Sequence, residues 1–398
     1  VSLVVKNVIV NAKNVDIRIE HGVIQEISEN LSGEVLVDAR SSLALPAFVD
    51  AHVHLDKCFT HKTLGSTSFE ILQWTKPSAE SSVYERAKRA LAQSLAYGTL
   101  AHRAFVDVDS SIGLSALKEV LRLKRELKNV TLQVVAFPQY GFSDDKQNVE
   151  LLHKAMEEGA DVVGGIPWIE PTGEDSLKHI EIIFDIAERY AKDIHIVSDD
   201  TDDPLSTNLL HFLSNAKKRK FFGKVAASQC RGALDSPNQG YTQKVLSLAK
   251  QLGATIVENA HTTLMLSGRG EANPVRRGVA PIKLFLKEGV NVAAGQDDIQ
   301  DAFYPFGKGS MLEVAFLLCH AAQLSSEQEV LCALDAVTTN GAKMMKLNQA
   351  LKKGCDADLV ILNAKNPVEA LCKQEPPLFV IRKGRVVARN TTQTELEL

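Results

Sequence analysis

The chain has 398 residues and a formal net charge of −4, with 45% hydrophobic and 24% charged residues. That length exceeds one small core and calls for a large domain with a smaller companion. The near-neutral balance, without a basic block, excludes nucleic acid as the main partner.

The first segment, "SLVVKNVIV" and "VDIRIEHGVIQEISEN", reads as short strands with a turn at His21-Gly22. Next comes "LALPAFVDAHV", the first of eight apolar, β-branched runs. The others are "GTLAHRAFV", "TLQVVAF", "ADVVGGI", "DIHIVS", "GKVAAS", "GATIVEN" and "GVNVAAG". Amphipathic stretches such as "LSALKEVLRLKRELKN" separate them, with apolar residues at helical spacing. Eight such units predict a closed parallel (β/α)8 barrel of the α/β class over residues 46–347. A doubly wound sheet would carry G-x-G-x-x-G after its first strand, and none is present there. The tail, "ADLVILNAK" and "LFVIRKGRVVARN" with a turn at Lys383-Gly384, has the texture of the head. Residues 1–45 and 348–398 are therefore expected to form one composite β-sandwich domain.

The six cysteines, at 58, 230, 319, 332, 355 and 372, form no C-x-x-C and no disulfide framework. No signal peptide opens the chain, and no apolar run reaches about 18 residues. A reduced, cytoplasmic protein without a membrane partner is expected. The basic stretch "NAKKRKFFGK" reads as a helix end entering a strand.

Barrel active sites lie at the C-terminal ends of the strands. The first barrel run ends in His52 and His54, which share a face at i and i+2. The last is followed by Asp297 and Asp298. Two imidazoles and a carboxylate converging across the mouth suit a divalent metal, Zn²⁺ or Fe²⁺. Cys58 beside Lys57 reads as a packed residue, Trp74 and Trp168 as packing residues with Trp168 placed to line the pocket, and His320 as a core or interface histidine.

"LPAFVDAHVHLDK" resembles the amidohydrolase superfamily. "LQVVAFPQYG", "ADVVGGIP", "VRRGVAPIKLFLKEGVNV", "QDDIQDAFYPFGKGSML" and "GCDADLVIL" narrow the likeness to the cytosine deaminase group and its triazine-hydrolysing relatives. The resemblance implies a metal-dependent hydrolase of non-peptide C–N bonds, with a small nitrogen heterocycle as substrate and a homo-oligomeric assembly. It assigns His52, His54 and Asp297 to the metal, and Asp297 also to proton transfer. Gln139, Asp298, Phe303 and Lys57 fall on ring-binding positions.

The departures are specific. Val197 stands at the family's strand 5 histidine, Asp200 at its catalytic glutamate, Gln229 at its strand 6 histidine and Phe105 at a strand 2 histidine. Asp200 and Gln229 are then the expected catalytic partners of Asp297. Asp199, Asp200 and above all His261 are expected substitutes for the missing ligand, with Cys230 a weaker one and His195 one layer deeper. The alternative expectation is a catalytically impaired or metal-free binding protein of the same fold.

Overall fold

The computed structural model describes residues 2–60, 82–236, 238–273, 275–391 and 395. Trp74 lies outside the described residues. Four strands open the chain: β1 (Leu3–Val10), β2 (Lys13–Glu20), β3 (Val23–Ser28) and β4 (Glu34–Pro46). Three close it: β13 (Leu359–Leu362), β14 (Phe379–Arg382) and β15 (Arg385–Arg389). They form one mixed seven-stranded sheet in the order β15-β14-β13-β4-β1-β2-β3. The junction is β4, which runs parallel to β1 and antiparallel to β13. Both expected hairpin turns form. His21-Gly22 and Lys383-Gly384 each place two successive residues at positive φ, the conformation that a tight, right-twisted hairpin needs.

Eight parallel strands follow: β5 (Phe48–His54), β6 (Thr99–Asp107), β7 (Thr131–Phe137), β8 (Val162–Gly165), β9 (Asp193–Val197), β10 (Val225–Ser228), β11 (Thr255–Glu258) and β12 (Asn291–Ala294). Each coincides with one of the eight apolar runs, and they are hydrogen-bonded in sequence order. The circle closes through backbone bonds between β5 and the residues just after β12. Asp297 N donates to His52 O at 2.7 Å, and His54 N donates to Asp297 O at 2.8 Å. Gly295 permits this approach, since a Cβ there would lie 2.6 Å from His52 O.

Helices pack outside by the expected periodicity. α2 (Ser115–Glu126), which follows α1 (Val83–Ala96), buries Ala116, Leu117, Val120, Leu121 and Leu123. These fall on one stripe of a 3.6-residue helix. Inside the barrel, Val49, Ala51, Ala101, Ala226, Val257 and Ala293 form one cluster with Met344 and Met345. A second cluster of Phe105, Val135, Phe137, Val162, Ile166 and Val197 includes residues that line the mouth. Among the described residues, no helix is long and apolar enough to cross a membrane.

Candidate active site

β5 is buried along its whole length, yet it ends in two polar rings. His52 Nε2 and His54 Nε2 lie 3.2 Å apart. Asp297 Oδ1 lies 3.2 Å from His52 Nε2 and 3.6 Å from His54 Nε2. Ligand bonds of 2.0–2.2 Å in tetrahedral geometry separate ligand atoms by roughly 3.3–3.6 Å. The triangle therefore fits one divalent ion with a position left open toward the cavity. Asp297 reaches this point from a left-handed backbone, φ +60°, in the bulge that closes the barrel. Burial works against its charge, but the His52 ring and the Gln229 amide hold its carboxyl below the usual range.

Gln229, also left-handed at φ +43°, donates from Nε2 to Asp297 Oδ2 at 2.8 Å. Its Oε1 is buried and has no partner among the described residues. Lys57 reaches across the mouth of β5. Its Nζ lies 2.7 Å from Asp107 Oδ1, 2.7 Å from Gln139 Oε1 and 3.2 Å from His54 Nδ1. Burial disfavours this ammonium, yet Asp107 and Asp56 outweigh it and raise its pKa. Burial pushes the Asp107 carboxyl up to about 8 despite Lys57. The 2.7 Å contact with a strongly basic amine argues for the ion pair. Because Gln139 Oε1 faces Lys57, its Nε2 is the group left to donate to a ligand.

These groups surround a partly open cavity at the barrel mouth. Its lining includes His54, Lys57, Gln139, Asp200, Gln229, Asp297 and Asp298, with Trp168 and Phe303 among the flat, apolar walls. Flat apolar walls with a few convergent polar groups suit a small ring in character. Asp200 is held by Arg231, whose Nε donates to Asp200 Oδ1 at 2.8 Å and whose Nη1 bonds Asp202 and Ser267. Burial raises the Asp200 pKa, and Arg231 opposes the rise. Asp298 is pushed far up, first by burial and then by Asp297 and Asp301. Asp301 is raised to about 6, again by burial.

Several expected substitutes stand elsewhere. Val197 lines the cavity as an apolar side chain. Asp199 caps α5 (Asn208–Lys218), accepting from Asn208 N and Leu209 N at 2.9 Å each. It serves the helix, because unpaired amides at a helix start draw a carboxylate. His261, expected as a ligand, does not join the cluster of His52, His54 and Asp297. Its Nε2 meets Gln296 O, and its ring packs edge-on against Tyr304. Cys230 bonds Ala227 O and Ser198 instead of facing the mouth. Burial pushes the Cys58 thiol far up, so it is no thiolate. His195 lies one layer below, as its position predicts, with Nε2 2.7 Å from Ser228 Oγ. His320 is exposed on α9 (Met311–Ala321), not in the core.

Other supporting residues escaped the sequence reading. Ser228 Oγ also lies 2.7 Å from His52 Nδ1. Phe105, read from the sequence only as the replacement of a strand 2 histidine, stacks on the His52 ring at 3.8 Å between centroids. Glu170 accepts from Phe142 N at 2.8 Å and meets His179 Nδ1 at 2.6 Å, while His179 Nε2 accepts from Ile166 N at 3.0 Å. This clamp ties the loop after β7, which carries Gln139, to the segment that carries Trp168. Each partner is remote in sequence, and no spacing rule links them.

Comparison with known proteins gives concordant matches. The amidohydrolase family model matches residues 66–388. The chain is 29% identical to an N-isopropylammelide isopropyl amidohydrolase of Pseudomonas sp. (strain ADP), over 98% of this chain and 97% of that protein. It superposes on 5-methylcytosine deaminase from Klebsiella pneumoniae, liganded with 5-fluorocytosine, with a TM-score of 0.93 and 30% identity. That match covers 100% of this chain and 99% of the other. An N-isopropylammelide isopropylaminohydrolase from Burkholderia multivorans gives a TM-score of 0.85 at 27% identity, over 98% of both chains.

Proposed function

We propose that this chain, which belongs to the amidohydrolase family, hydrolyses the bond between a small nitrogen heterocycle and an exocyclic amine or alkylamine. The observation that carries the reading is the His52–His54–Asp297 triangle at the edge of a cavity lined by Gln139, Asp200, Asp298, Trp168 and Phe303. The likeness to a cytosine-type deaminase and to triazine amidohydrolases supports the substrate class.

His52, His54 and Asp297 would hold the ion, and their N and O donors accept Zn²⁺ or Fe²⁺. A bound ion supplies Lewis acidity, lowering the pKa of a water toward about 7. Asp297, whose carboxylate points to this position, would accept a proton there. Gln139, turned by Lys57, donates from Nε2 to an acceptor on the ring edge. Trp168 and Phe303 offer the ring flat apolar surface and exclude solvent. Asp298, held protonated by burial and by its acidic neighbours, donates to a ring nitrogen. Asp200, aimed by Arg231, would relay to the leaving amine the proton accepted at Asp297. Gln229 keeps Asp297 oriented but cannot itself move a proton near neutral pH.

The test is a panel of aminopyrimidines and N-alkylaminotriazines offered to protein loaded with Zn²⁺, Fe²⁺ or Mn²⁺, with ammonia and alkylamine measured. Release from at least one class is expected. Full loading without any turnover would leave the second reading, a barrel that binds such rings without hydrolysing them. Val197, apolar at the strand 5 ligand position, is the observation that favours it.

A further inference from the structure

Behind each imidazole of the triad stands a cation. Lys57 Nζ lies 3.2 Å from His54 Nδ1. An ammonium has three protons to give and no lone pair to receive one. His54 Nδ1 is therefore the acceptor, and a neutral His54 carries its hydrogen on Nε2.

The arrangement behind His52 is longer and has the same sense. Arg103 is fully buried, and its Nη1 lies 3.5 Å from His195 Nδ1. A guanidinium only donates, so His195 carries its hydrogen on Nε2, 2.7 Å from Ser228 Oγ. Ser228 accepts there and turns its one hydroxyl hydrogen to His52 Nδ1, also 2.7 Å away. A neutral His52 then carries its hydrogen on Nε2 as well. Both Nε2–H groups face Asp297 Oδ1, at 3.2 and 3.6 Å.

This is the reverse of the usual arrangement around a ligating histidine. There the far ring nitrogen donates its hydrogen to a carboxylate, carbonyl or water and frees the near lone pair for the metal. A second observation points the same way. His54, Asp56 and Asp107 form another cluster of potential ligand atoms beside the triad. Lys57 Nζ touches two of its members, so an ammonium already stands where a further cation would bind.

We propose that Lys57 and the Arg103–His195–Ser228 relay hold His52 and His54 in the Nε2–H form, so that Asp297 closes the triad at rest and a metal binds only when each ring's hydrogen moves from Nε2 to Nδ1, against Lys57 behind His54 and Ser228 behind His52. Lys57 then sets the metal affinity of this chain, and sets it low. The inference rests on the reading that the triad is the metal site, and it adds which residues govern occupancy.

Two measurements on the whole chain test it. Long-range ¹H–¹⁵N spectra of metal-stripped protein, with His52→Gln and His54→Gln used for assignment, report which nitrogen of each ring carries hydrogen. Hydrogen on Nε2 of both rings is expected, and hydrogen on Nδ1 of either would overturn the proposal. Calorimetric titration with Zn²⁺ then compares the natural chain with Lys57→Met and with Lys57→Met/Asp107→Asn, the latter also removing the carboxylate that Lys57 pairs with. The double variant should bind about 10–100-fold more tightly, and unchanged or weaker binding would overturn the proposal. If the natural chain holds one tight equivalent of metal and turns over the ring panel, this inference fails while the proposed function stands. If it is metal-poor and inactive while the double variant gains metal, the reverse holds.

Discussion

Val197 lines the cavity beside His54 and Asp297, and at 4% exposure it has no room to spare. Histidine in its place would bring a third nitrogen, and so a fourth ligand atom, to the edge of the triangle. We expect Val197→His to tighten Zn²⁺ binding at least tenfold by titration calorimetry, at a cost in stability of about 1–3 kcal/mol for overpacking. An unchanged affinity would mean that β9 does not aim its last side chain at the triad. His52, His54 and Asp297 were readable in the sequence because two histidines at i and i+2 can only share a face of a strand, and a closed barrel brings its last strand to its first. The hydrogen bonds that control them were not. Ser228 reaches His52 across 176 positions, and Asp107 reaches Lys57 across 50. Contacts of that span follow from the barrel's register, which is set only when all eight strands have closed. His261 misled for the same reason, since the Gln296 carbonyl that occupies its ring is a loop feature with no sequence signal.

The eight strands were visible as apolar runs because parallel strands covered on both faces need no polar alternation. Their ends were blurred. "GATIVEN" contributes only Thr255–Glu258 to β11, because the ladder extends no further than its neighbours pair. The loops beyond these ends carry the chemistry, and the Glu170–His179 clamp holds two of them. Glu170 accepts from the backbone of Phe142 and of Ser143, and His179 fixes Ile166. Burial opposes the Glu170 charge, but the His179 hydrogen bond overcomes it and lowers its pKa. Removing the carboxylate strands the buried Phe142 amide and an imidazole N–H and frees the exposed Ser143 amide. Glu170→Ala should therefore destabilise the chain by about 2–4 kcal/mol in urea denaturation. It should also loosen Gln139 and Trp168 and raise KM for any ring substrate, while Zn²⁺ affinity stays where it was. A variant that lost metal in proportion to activity would show that the clamp acts on the triad and not on the ring pocket.

Closing eight strands into one barrel also imposes an acid–base cost on the molecule. Glu258 ends β11 with 1% of its surface exposed. Its carboxyl meets Thr263 Oγ1 at 3.3 Å and Ala280 N at 3.2 Å, and no lysine or arginine pairs with it among the described residues. Burial raises its pKa from 4.5 to about 8. The folded chain thus keeps a proton that the unfolded chain releases above about 4.5. Stability from the neutral group is fully present below that value and is lost as pH rises toward about 8, at a slope of up to about 1.4 kcal/mol per pH unit. Most surface carboxylates act in the opposite sense, because their pKa values are lowered by folding. Glu258→Gln, which keeps the shape and removes the titration, isolates this contribution. The melting temperature of the natural chain should fall more steeply than that of Glu258→Gln between pH 5 and pH 8.5, with the two converging at the acid end. Parallel curves over that range would mean that Glu258 is ionised in the folded barrel and finds a counter-charge there. The comparison is best made on metal-stripped protein, because an ion at the triad would stabilise the fold by mass action and itself depend on pH.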